Sequence, residues 1–109
     1  MSESSEQARS AARLWHEHRR APFPDSLRGA EGGTDMWLLD LYTAGCVVAW
    51  LAHGGTLDSE NSRILQKCLD ELQHVVPEIN EPAAAQYYQR LHRLALLVSG
   101  NSSPAPVSK

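Results

Sequence analysis

A chain of 109 residues that is 42% hydrophobic and 21% charged has the length of one globular domain and is too apolar to stay disordered. A formal net charge of −3 excludes a generic nucleic-acid binder, which needs a basic surface to meet phosphates. Two cysteines are too few for a disulfide scaffold.

The opening residues Met-Ser-Glu-Ser-Ser-Glu-Gln lack the basic stretch and apolar run of a secretory leader, and neither end carries a lipidation motif. The expectation is a cytoplasmic protein. A first helix is predicted over 6–19. Ser4 and Gln7 have capping-box spacing, and Ala8, Ala11, Ala12 and Trp15 form a narrow apolar stripe that is mostly alanine. Residues 21–33 read as a loop, because Pro22, Pro24, Gly29, Gly32 and Gly33 break any helix, with Phe23 and Leu27 pinning it to the domain. Thirteen residues is long for a helix–helix connection, which usually takes about two to eight.

The second helix is predicted over 35–53, with Thr34 or Asp35 as N-cap and Gly54 placed for a left-handed end. It is apolar almost all round, which marks it as the buried central helix. Its segment Met36 to Ala52 is 17 residues, about 25 Å, too short for the ~30 Å core of a bilayer, and it contains Asp40. No membrane span is expected. The third helix, 58–76, is capped by Asp58 or Ser59 and stopped by Pro77. Its apolar side is Ile64, Leu65, Cys68, Leu69, Leu72, Val75 and Val76. The fourth, 82–98, opens on Pro82 and ends at Gly100, with the stripe Ala84, Tyr87, Tyr88, Leu91, Leu94, Ala95 and Val98. Residues 101–109 read as a disordered tail after a single 1–100 domain. The whole is an all-α, four-helix up-down antiparallel bundle with a short first helix, a long 21–33 loop and no sheet.

That register puts Cys46 level with Cys68, and Asp40 level with His74, with Tyr87 and Tyr88 nearby on the fourth helix. For the cysteines the alternatives are buried free thiols, a redox pair, or half a zinc site completed by His53 and His74. Zinc ligands favour Cys-x₂₋₄-Cys spacing, which is absent, so buried thiols and no metal are expected. Asp40, His74 and Tyr87 form either a buried polar site, for a small molecule or for phosphotransfer, or a satisfied structural network. A third possibility is that Asp40 faces solvent on a polar stripe with Thr43 and His53.

Charge is polarised along the chain. Residues 9–28 hold five arginines against two acids, 29–89 hold nine acids against Arg63 and Lys67, and 90–109 hold three cations. His16, His18, Arg19 and Arg20 end the first helix, where cations complement the macrodipole. With Phe23 and Arg28 they also make a candidate surface for an acidic protein partner. No phosphate loop, His-Glu-x-x-His or nucleophile elbow occurs. Leu91-His92-Arg93-Leu94 resembles the histidine helix of phosphotransfer bundles but lacks the lysine and glycine that follow there. A helix-turn-helix over 46–76 fails because Asp70 and Glu71 offset Arg63 and Lys67. The leading expectation is therefore a small non-enzymatic protein-binding module without a cofactor. It would act as an adaptor, regulator or immunity-type inhibitor, with a homodimer open. The alternative is a ligand-binding or phosphotransfer bundle around Asp40, His74 and Tyr87.

Overall fold

A computed structural model describes residues 3–24, 30–31 and 34–101. Four helices dominate: α1 (Glu3–Arg20), α2 (Met36–Ala52), α3 (Ser59–Val75) and α4 (Pro82–Asn101). The all-α expectation holds, and no helix among the described residues is long and apolar enough to cross a membrane.

The helix ends follow local chemistry. The Asp35 carboxylate accepts from the Leu38 N–H at 3.1 Å and starts α2, and Asp58 accepts from Asn61 N–H at 2.8 Å and starts α3. After α2, Gly54 and Gly55 take φ of 69° and 96°, and the Gly55 N–H donates to the Trp50 carbonyl at 2.9 Å. This is the six-to-one bond of a Schellman ending, which needs the left-handed residue that Gly54 supplies. Pro77 ends α3 by tightening the chain into a 3₁₀ turn over Val76–Glu78. The Glu81 carboxylate accepts from the Ala83 and Ala84 N–H groups and caps α4.

Three details depart from the sequence reading. The first helix begins at Glu3, so Ser4 lies inside it rather than at its cap. The fourth runs through Gly100 to Asn101, and the rest of the expected tail, 102–109, lies outside the described residues. The long loop is not free of strand: β1 (Ala30–Glu31) pairs antiparallel with β2 (Thr34–Asp35). The intervening sequence is Gly32-Gly33, a pair suited to two-residue hairpins.

α3 packs against α2 and α4, α2 also touches α4, and α1 lies against α4 and α2. The core is made by Val47 and Trp50 of α2, Leu65 and Leu72 of α3, and Tyr88, Leu91, Leu94 and Val98 of α4, with Met36 at one end. α1 contributes only Ala11 as a fully buried apolar residue. Tyr88 crosses the core to donate its hydroxyl to the Met36 carbonyl at 2.6 Å. Cys46 and Cys68 are both buried and free, as their helix faces predict, and near enough for a charge on Cys68 to raise the ionisation of Cys46.

The expectation that α2 is buried all round fails. Trp37, Leu38, Leu41, Tyr42 and Val48 are exposed, with Leu41 and Tyr42 each 54% open to solvent. In a layer of four helices each helix has one outward face, whatever its composition.

Tyr88→Phe should lower the unfolding free energy by about 1 kcal/mol, the usual net worth of one buried hydrogen bond. A shift of the urea midpoint at unchanged slope measures it.

Candidate functional site

The polar centre of the molecule is Asp40. It sits on α2 among apolar neighbours, and its side chain is only 15% exposed. Such a carboxylate needs donors. His18 Nε2 of α1 supplies one to Oδ1 at 2.7 Å, and the Tyr87 hydroxyl of α4 donates to Oδ2 at 2.6 Å. The His18 and Tyr87 rings also touch, with centroids 4.5 Å apart. Burial, then the bond and charge of Asp40, push the Tyr87 phenol well above its ordinary value, and burial does the same to Tyr88.

Of the three residues expected here, Asp40 and Tyr87 meet and His74 does not. His74 is exposed, and its Nδ1–H donates to the carbonyl of Asp70 in its own helix. The physical reason is helical phase. Asp40 lies six residues before Cys46, and His74 six after Cys68. At about 100° per residue, six residues end roughly 120° from the starting direction. The cysteines face each other across α2 and α3, so both other groups turn away from that interface, Asp40 toward α1 and α4 and His74 toward solvent.

His18 takes the place given to His74. Counted with the basic surface patch, it is instead buried, 4% exposed. Its position was readable: it lies seven residues after Ala11 and three after Trp15, on the same stripe that α1 turns inward. Of the other patch residues, His16, Arg19 and Arg20 are exposed. Phe23 is partly buried, edge-on to Trp37, Tyr87 and Tyr88 at centroid distances of 5.3, 5.7 and 6.3 Å. It fixes the chain leaving α1 rather than standing free. Arg28 and Leu27 lie outside the described residues. The solvent-facing polar stripe also fails, since Thr43 is buried and donates to the Leu39 carbonyl at 2.7 Å.

A cleft of about 280 Å³ opens beside this network. Trp15, Phe23, Trp37 and Tyr87 wall it, Asp40 and His18 form its polar side, and Arg19 stands at its edge. On the opposite flank of α2 a wider groove of about 500 Å³ runs along α3 between Leu38, Tyr42, Ile64 and Lys67, with Cys68 at its side. Burial pushes that thiol up against a weaker opposing pull from Thr43, and burial pushes Cys46 up to about 11, so both disfavour the thiolate form. Burial also lowers the pKa of the half-buried His92. Among the described residues no three of His, Cys, Asp and Glu converge in a way that could hold a metal ion.

Asp40→Ala should destabilise the fold by about 2–4 kcal/mol, because His18 Nε2 and the Tyr87 hydroxyl would both lose their acceptor inside the protein. His74→Ala should leave the urea midpoint unchanged. The raised thiol and phenols fix the sign of the alkaline response. The unfolded chain loses these protons near the ordinary values of 9.0 and 10.0, while the folded chain keeps them. Stability is therefore whole below about pH 9 and falls as pH rises toward 11, the folded value of Cys46. Urea midpoints between about pH 7 and 11 test this. An ultraviolet titration should show the phenolates of Tyr87 and Tyr88 only on unfolding.

No protein-family model, no curated protein and no solved structure matches the chain.

Proposed function

We propose that this protein is a non-enzymatic, cytoplasmic helical module that binds another protein through the outer face of α2, as an adaptor, regulator or inhibitor does. The observation that carries the reading is the inversion of that helix. Its one charged residue, Asp40, and its Thr43 point inward, while Trp37, Leu38, Leu41, Tyr42 and Val48 point out. Single exposed apolar residues are ordinary on a protein surface, but a continuous set along one helix is the signature of a contact site. Aromatic residues such as Trp37 and Tyr42 are the side chains that most often anchor interfaces.

The partner surface is an apolar helix. Positions 37, 38, 41, 42, 45 and 48 follow one stripe and include no charge. Gly45, exposed near the middle of that stripe, has nothing within 4 Å of where a Cβ would stand, so a second helix can approach closely there. The cleft and the groove flank the stripe and take side chains on either side. Arg19 at the cleft edge, with the exposed His16 and Arg20 toward the same end of α1, steers an acidic rim on the partner, a contribution to rate and salt dependence more than to affinity. Short connections after α2 and α3 favour an up-down antiparallel order of the helices, which leaves the α2 face unobstructed.

Leu41→Asp and Val48→Asp each place a charge in this face without touching the core. Tagged wild-type protein should capture a partner from its native lysate that neither variant captures. The double variant Arg19→Ser with Arg20→Ser should still capture it, with a flatter dependence on salt. Sedimentation of the pure protein over a range of concentrations separates a foreign partner from a second copy of this chain. Equal capture by wild type and both Asp variants would overturn the reading.

A further inference from the structure

The cleft beside Asp40 has a chemistry of its own. Its walls are aromatic, and the Phe23 ring stands at 74° to Trp37 and 82° to Tyr87, so the π-systems do not lie in one plane. Aromatic faces carry partial negative charge and attract cations. Behind them lies a carboxylate whose two oxygens each accept one hydrogen bond, from His18 and Tyr87, although a carboxylate offers about four acceptor positions. Rings and carboxylate both favour a group that is positive and carries N–H donors.

We propose that this cleft binds an organic cation, an alkylammonium or guanidinium group. A volume of about 280 Å³ holds such a head and a short chain, and it lies just below the range of drug-sized ligand pockets, which starts at about 300 Å³. Arg19 at the edge opposes the cation. It is exposed and screened by water, while Asp40 acts from a partly buried position where a charge is felt more strongly. Arg19 weakens the site without reversing its sign. The cation comes either from a free small amine or from a lysine or arginine of a protein docked on α2, because Trp37 and Leu41 border both surfaces. Only the second source rests on the proposed docking face.

The test is a two-dimensional NMR titration of the full chain with butylammonium and butylguanidinium chlorides, with butanol and butyrate as controls at constant ionic strength. Saturable shifts of the Trp15 and Trp37 indole signals are expected with the cations and not with the controls. Trp37→Leu, at a half-exposed wall, should weaken binding about fivefold, the size of one exposed cation–π contact. Arg19→Gln should tighten it, and Asp40→Asn should abolish it. Should Asp40→Asn fail to fold, the opposite signs of the Trp37 and Arg19 variants still decide. A leucine–serine helical peptide with one lysine identifies the source. Binding tighter than butylammonium and lost in Val48→Asp marks a docked side chain, whereas butylammonium binding that Val48→Asp leaves intact, with no gain from the peptide, marks a free amine. Absence of saturable shifts with both cations overturns the proposal. So does tighter binding of butyrate that Arg19→Gln weakens.

Discussion

Asp40 carries a negative charge to a position that water only partly reaches, and that placement requires donors from other helices. α1 sends His18 and α4 sends Tyr87, so one side chain joins three of the four helices. The link matters most for α1, whose inward stripe is largely alanine and buries little area. Apolar contact alone would let such a helix slide or rotate on its support. The short His18 bond, to a carboxylate that Tyr87 of α4 holds in turn, gives α1 a fixed point on α2, the use to which partly buried polar groups are best suited. Trp15 stacks on His18, and Phe23 packs edge-on against Tyr87, so the aromatic cluster is organised around the same point.

The same residue explains the unusual surface of α2. A helix that turns its charge and its Thr43 inward has only apolar residues left for the outside. The cost of the inversion is met inside by hydrogen bonds and left open outside. An apolar face that water must wet gains from being covered, at roughly 25 cal/mol for each Å² removed from solvent.

How much of this the sequence discloses depends on the range of the interaction. Helix ends set by Asp35, Asp58, Pro77, Pro82 and Gly54 follow from chemistry within a few residues and are legible to within a turn. The burial of Cys46 and Cys68 follows from the apolar period of their helices. The meeting of Asp40 with Tyr87 is legible as a shared level along the axis, but the histidine that completes it is not, because level says nothing of azimuth. His74 has the height and the wrong direction, and His18 has the direction but is disguised by the arginines that follow it. The outer face of α2 is illegible for a different reason. A helix without an amphipathic stripe offers no period from which to decide which side faces in, and its neighbours decide instead. The two-residue strands at 30–31 and 34–35 had a signal, Gly32-Gly33, without the flanking alternation that usually accompanies it.

The unequal attachment of the helices has a dynamic consequence. α2, α3 and α4 share the large core residues, while α1 is held by an alanine stripe, Trp15 and a polar clamp, and is joined to α2 by a long connection. Such a helix is expected to open as its own cooperative unit, with a smaller free-energy gap than global unfolding. Lifting it would take Trp15 and His18 away together and abolish the cleft. Amide exchange in α1 should then run on a separate clock from the core, and whatever occupies the cleft should slow that clock alone.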